Sequence, residues 1–140
     1  MRTALDSNIL SALFTVEPTS DAVVAQLGLC RTQGPLIISG VVYSEIHAVP
    51  NMTPALLQDF LGDTGIHIDT ATSLEDWSLS GEVFAAYATR RRKSGRGEPK
   101  RLLADFMVGT HAFRSCDRLF TLDPARYATS FPKLTLLGLP

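Results

Sequence analysis

The chain has 140 residues, 45% hydrophobic and 19% charged, which is one domain's worth of chain with enough apolar material for a core and too little charge for a disordered polymer. Apolar runs such as 34-GPLIISGVV-42 are too short to cross a bilayer, and the opening MRTALDSNIL, with Asp6 inside it, does not read as a secretory signal. Cys30 and Cys116 form no CxxC pair and read as reduced thiols of a cytoplasmic protein, while a net charge of −1, taken alone, argues against a nucleic-acid partner.

The charge is unevenly spread, however. Residues 90–101 hold Arg90, Arg91, Arg92, Lys93, Arg96, Lys100 and Arg101 against Glu98 alone, a segment of +6. The remaining chain carries 6 basic and 13 acidic residues, or −7. A function has to account for both halves.

In chain order, Arg2–Leu5 reads as a short strand ending at Asp6. Ser7 is placed to cap a helix over Asn8–Phe14, with Ile9, Leu10 and Leu13 on one face. A turn at Pro18–Ser20 leads to a helix over Asp21–Thr32, stopped by Gln33-Gly34-Pro35. Leu36–Ser39 reads as a buried strand and Gly40–Val49 as a helix ended by Pro50. Thr53 caps the next helix with Pro54 at its first position, and Leu56, Leu57, Phe60 and Leu61 form its stripe. Gly62 and Gly65 bracket a turn before a strand over Ile66–Ile68.

Thr72-Ser-Leu-Glu75 has the form of a capping box opening a long helix that runs into the basic block. Gly95, Gly97 and Pro99 break it within Ser94–Pro99. Leu102–Ser115 resumes as helix, Arg118–Leu122 is a strand, Pro124–Pro132 is turn-rich and Leu134–Leu137 is a last strand. Strands separated by such helices imply βαβ units, hence a mostly parallel sheet of 4–5 strands covered by helices.

Open α/β sheets bind ligands at the carboxyl ends of their strands. Four acids fall there. Asp6 follows the first strand, Glu45 lies in the first turns after the second, and Asp123 follows Phe120-Thr121-Leu122. Asp105 sits one turn into its helix among Leu102, Leu103, Ala104, Phe106, Met107 and Val108. A helix N-terminus favours its charge, but a carboxylate among apolar neighbours needs a partner. Alone, Asp6 has an ordinary explanation as a helix cap, Asp123 as the start of a turn with Pro124 and Glu45 as a solvated helix residue, whereas Asp105 is harder to explain in this way. Converged, the four would repel one another unless a cation joined them. Oxygen ligands without His or Cys select Mg²⁺ or Mn²⁺. Such an ion would ionise a water and offset charge on a phosphodiester. No GxxxxGK[ST] loop and no GxGxxG after the first strand are present, which argues against a bound nucleotide cofactor.

These strings resemble the motifs of PIN domains. Leu5-Asp6-Ser7-Asn8-Ile9-Leu10 is similar to the opening motif, Ser44-Glu45-Ile46 to the second acid, Leu103-Ala104-Asp105-Phe106-Met107-Val108-Gly109 to the third, and Leu119-Phe120-Thr121-Leu122-Asp123 to the T-x-D fourth. Order and spacing agree over essentially the whole chain, 1–140, as a single domain. The resemblance implies a three-layer α/β/α sandwich. It further implies a Mg²⁺- or Mn²⁺-dependent endoribonuclease of the VapC-like toxin kind, a homodimer held silent by a VapB-like antitoxin. Asp6, Glu45, Asp105 and Asp123 are then metal ligands, Ser7 and Thr121 orient carboxylates or a water, and Asn8 supports them.

The basic, Gly-rich stretch before Asp105 departs from the commonest pattern. It reads as a mobile loop or frayed helix end placing Arg90, Arg91, Arg92, Lys93, Arg96, Lys100 and Arg101 where RNA phosphates approach, or else as a solvated helix end. His47, His67 and His111 lack metal-site spacing and read as packed or capping residues. Asp117 lies at the amino end of its strand, away from the crevice. Trp77, Phe84 and Tyr87 read as core or dimer contacts, and Asp59, Asp63, Asp69, Glu75, Asp76 and Glu82 as solvated. The rival readings are a non-toxin PIN nuclease, a non-hydrolytic RNA- or protein-binding module of the same fold, and another Mg²⁺ phosphotransferase. A dehalogenase-like phosphatase wants an Asp where Asn8 stands, and a receiver domain wants adjacent acids at the first strand, which are absent.

Overall fold

A computed structural model describes residues 1–15 and 17–140. Its centre is a five-stranded, all-parallel sheet in the order β3-β2-β1-β4-β5. The strands are β1 (Thr3–Leu5), β2 (Leu36–Ser39), β3 (His67–Asp69), β4 (Arg118–Phe120) and β5 (Thr135–Leu137). β1 and β2 are buried throughout, as strands covered on both faces must be, while the edge strands β3 and β5 are partly open.

Among the described residues seven α-helices flank the sheet: α1 (Ser7–Phe14), α2 (Ser20–Gln33), α3 (Gly40–Glu45), α4 (Pro54–Thr64), α5 (Leu74–Lys93), α6 (Leu103–Ser115) and α7 (Ala125–Ala128). α1 lies along α2 and α5 along α6, giving the expected α/β/α layers. One core joins Leu5, Ile9, Ile38, Ile46, Phe106, Leu119, Phe120 and Tyr127. Among the described residues no helix is long and apolar enough to cross a membrane.

Local departures from the sequence reading have physical causes. The cap of α1 is Asp6, not Ser7: the Asp6 carboxylate accepts from the Ser7 N–H at 2.8 Å. The expected helix over Gly40–Val49 is α-helical only to Glu45 and ends in a 3-10 turn, Ile46–Ala48, before Pro50. The capping box of α5 lies one residue later than expected, with Ser73 accepting from the Asp76 N–H and Asp76 from the Ser73 N–H. The turn-rich segment Pro124–Pro132 contains α7.

The sheet order fixes where a site can form. From β1 the chain builds β2 and β3 on one side, then returns to build β4 and β5 on the other. The order therefore reverses between β1 and β4, whose carboxyl ends open the crevice such sheets use for ligands. The Asp6 N–H donates to the Phe120 carbonyl at 3.0 Å, so the two ends are joined where Asp6 and Thr121 emerge.

Candidate active site

Asp6 is 3% exposed and its charge is met by three donors. The Ser7 N–H reaches Oδ1 at 2.8 Å; the Thr121 and Tyr127 hydroxyls each reach Oδ2 at 2.8 Å. Burying a carboxylate without such donors would cost several kcal/mol (roughly, for an unpaired ion). Thr121 Oγ1 also accepts from the Asp123 N–H at 3.0 Å, which ties the fourth acid to the first. Asn8 stands beside them, donating to Thr121 Oγ1 at 3.4 Å and accepting from the Leu122 N–H at 3.2 Å.

Glu45 and Asp105 complete the constellation electrostatically. The Glu45 side chain is solvent-accessible yet partly stripped of water, and that loss, followed by the charges of Asp6 and Asp105, raises its pKa against a hydrogen bond from Ser7. The Asp105 pKa is raised first by desolvation; Arg126 opposes this, while Asp6 and Asp123 add to it. Glu45 thus feels the charges of Asp6 and Asp105, and Asp105 those of Asp6 and Asp123, at the β1/β4 switch point. None of the three histidines takes part: His111 Nε2 pairs instead with Asp69 at 3.1 Å.

Two neighbours of these acids were not read from the sequence. Arg126 lies 3.5 Å from Asp105 and 3.3 Å from Asp123, a guanidinium shared by two of the acids. Burial acts to lower the Arg126 pKa, but Asp105, Tyr127, Asp123 and Asp6 raise it overall. Tyr127 is the buried donor to Asp6; burial and the Asp6 charge push its pKa well up, so it remains a hydroxyl. The signal was their spacing, three and four residues past Asp123 on one turn of helix. Among the described residues no three His, Cys, Asp or Glu side chains are gathered tightly enough to enclose an ion as they stand. Asp6 is engaged by its donors and Arg126 draws Asp105 and Asp123 to itself. The donor set is nonetheless all oxygen, and its mutual repulsion is what a hard divalent cation relieves.

The basic segment packs beside this site. α5 is helical to Lys93, and Gly95 and Gly97 take positive φ in the loop that follows. Arg91 donates to the Glu98 and Arg96 carbonyls, Arg92 pairs with Glu98 at 2.9 Å, and the Tyr87 hydroxyl accepts from the Lys100 and Arg101 N–H groups. Arg101 donates to the Arg126 carbonyl and lies close enough to Asp105 to oppose, in small part, the rise of its pKa. Arg90, Arg91, Arg96 and Arg101 line a cavity of about 460 Å³ beside α7. Arg92, Lys93 and Lys100 are not part of its lining.

The remaining expectations are settled locally. Asp117 sits at the amino end of β4, accepting from the Arg2 N–H at 2.6 Å. Asp69 and Asp76, expected to be solvated, are paired, Asp69 with His111 and Asp76 with Arg114. Phe84 and Tyr87 pack on Phe106, but Trp77 is 50% exposed.

Among curated proteins, none matches this chain in sequence. Solved structures that resemble it over nearly its full length include the following three. A chain in the crystal structure of VapBC2 from Rickettsia felis bound to a DNA fragment from their promoter is 18% identical, with a TM-score of 0.66 and 100% of both chains covered. A chain of VapBC-1 from nontypeable Haemophilus influenzae is 16% identical, with a TM-score of 0.64 and 99% and 98% coverage. A chain of FitAcB from Neisseria gonorrhoeae is 15% identical, with a TM-score of 0.57 and 97% and 96% coverage. At these identities they establish a shared fold. The PIN domain profile matches residues 3–131, so the chain belongs to the PIN domain family.

Proposed function

We propose that residues 1–140 form a single PIN domain acting as a VapC-like endoribonuclease, dependent on Mg²⁺ or Mn²⁺ and held in check by a VapB-like antitoxin. The observation that carries this reading is the set of four carboxylates at the switch point, with Asp6 fixed by three donors. Membership of a family whose members are generally nucleases supports hydrolysis of nucleic acid, and the VapBC and FitAcB likenesses support a toxin with an antitoxin partner. A homodimer and a cytoplasmic location belong to the same reading.

In this reading Asp6, Glu45, Asp105 and Asp123 would hold the ion. Once bound, a divalent ion lowers the pKa of an attacking water and offsets charge on the phosphodiester. Ser7 steadies Glu45, Thr121 spans Asp6 and Asp123, and Asn8 steadies Thr121. Arg90, Arg91, Arg92, Lys93, Arg96, Lys100 and Arg101 would attract the RNA backbone without reading its sequence.

Cleavage of single-stranded RNA by wild type and Asp6→Asn, each with Mg²⁺, Mn²⁺ or EDTA, tests the assignment. Wild type is expected to cut only with metal, and the variant at least a hundredfold more slowly. Equal cleavage by both would sink it. One observation favours the second reading, a non-hydrolytic RNA- or protein-binding module: Arg126 already bridges two of the acids. No metal-dependent cleavage, with RNA binding retained, would establish that reading instead.

A further inference from the structure

A second cavity, of about 470 Å³, opens between α3, the loop from β3 to α5, α5 and α6. That volume lies within the range of small-ligand sites, roughly 300–1,000 Å³. Its wall includes Glu45 and Ala104, so it begins at one acid of the site and one residue short of another. We infer that this cavity takes an unpaired nucleobase of the RNA whose phosphate lies at the acid cluster. The inference rests on the ribonuclease reading for its substrate, but not on cleavage.

The lining selects a planar, uncharged group. No Lys or Arg contributes to it, so a phosphate would find no cation there. Two of its acids are already committed, Asp69 to His111 and Asp76 to Arg114. Most of the surface is apolar, and Trp77, half exposed on its wall, offers a flat face for stacking. Base–aromatic stacking tolerates any base, since every base has a π face. The Ser44 and Thr72 hydroxyls, with no side-chain hydrogen bonds among the described residues, can meet the base edges.

The two cavities divide the nucleotide between them. Arg101, which lines the basic one, donates to the carbonyl of Arg126, whose guanidinium pairs with Asp105, while Glu45 and Ala104, the residue before Asp105, line the apolar one. The acid cluster therefore adjoins both. A strand crossing it would leave phosphates on the arginine side and turn a base into the other. Single-stranded RNA suits this arrangement because its bases are already free to splay.

Trp77 is the only tryptophan in the chain, so its fluorescence reports this wall alone. Titrating full-length Asp6→Asn protein with a short single-stranded RNA is expected to quench it saturably. An oligomer of equal length lacking bases should bind with at least tenfold weaker quenching. Ala71→Leu, which adds bulk at an exposed lining position and replaces none of the four acids, should weaken quenching by RNA tenfold with an unchanged far-UV CD spectrum. Equal quenching by the baseless oligomer overturns the inference. So does a blue-shifted Trp77 in a particle of doubled mass without RNA, which marks the face as covered by a second copy. Quenching by an apolar helical peptide but not by RNA also overturns it. Cleavage by wild type is read separately: cutting without quenching removes the base site and leaves the nuclease, and quenching without cutting does the reverse.

Discussion

Asp6 is buried yet charged because three groups from three parts of the chain reach it: Ser7 from α1, Thr121 after β4 and Tyr127 from α7. Hydrogen bonds to an ionised group contribute about 1.5–3 kcal/mol each. Tyr127→Phe removes one and preserves the ring in the core, so it should lower unfolding free energy by about 2 kcal/mol with an unchanged denaturant slope. Cleavage should fall partially, short of the loss caused by Asp6→Asn. Unchanged stability would mean that the bond to Asp6 contributes nothing. Glu45 and Asp105 carry the opposite strain, because their folded pKa values are raised. A raised carboxyl favours folding while protonated, so that contribution is full below the ordinary range near 4 and is lost as pH rises through the shifted values. Asp76 and Glu98, with lowered values, act in the reverse sense at lower pH. The difference in stability between Asp105→Asn and wild type should therefore grow in the variant's favour as pH rises from about 4 to 7. Saturating Mg²⁺ should reduce it by stabilising wild type. A pH-independent difference would show that Asp105 bears no charge strain.

At the scale of elements, legibility followed how local the deciding interaction is. β2 was read to the residue, Leu36–Ser39, because Gly34-Pro35 and the start of α3 punctuate it. α4 was equally clear at its start, from Thr53 and Pro54, although it runs through Gly62 and stops at Gly65 in the left-handed region. The capping box of α5 was misplaced by one residue because Thr72 with Glu75 and Ser73 with Asp76 both satisfy the pattern. Arg114 of α6 pairs with Asp76, a tertiary contact invisible in the local string. α7 is a single turn, too short for periodicity, so the contacts of Arg126 and Tyr127 with the acids were hidden in the string. Gly109 of α6 shows the same dependence on packing. An added Cβ would fall 2.2 Å from the Phe131 ring, which is itself buried. Alanine in a helix is ordinarily worth about 1 kcal/mol over glycine, but overpacking costs about 1–3 kcal/mol. Gly109→Ala should therefore lower Tm, while Gly81→Ala on α5, with nothing within 4 Å, should raise it. Equal and positive shifts would show that Phe131 yields freely.

The whole molecule's charge of −1 joins two opposed fields, and the fold sets them side by side. Arg101 reaches the Arg126 carbonyl, and Arg126 bridges Asp105 and Asp123, so the +6 segment abuts the acid cluster. That adjacency could not be read from the chain, because it depends on α7 folding back against the loop after α5. The structure also divides the seven cations. Arg91, Arg92 and Arg101 are engaged with the protein, and Arg90 touches Ser130. Lys93, Arg96 and Lys100 make no side-chain hydrogen bond among the described residues and are exposed. They are the cations free to displace counterions from RNA. For single strands the slope of log K against log salt changes by about 0.7 per phosphate neutralised. Replacing Lys93, Arg96 and Lys100 together by Gln, in the Asp6→Asn background, should flatten that slope by about 2 and weaken binding similarly for unrelated sequences. The loop should survive, because Arg91, Arg92 and Tyr87 still hold it. An unchanged slope would place the phosphate contacts elsewhere and leave the basic segment as a solvated helix end.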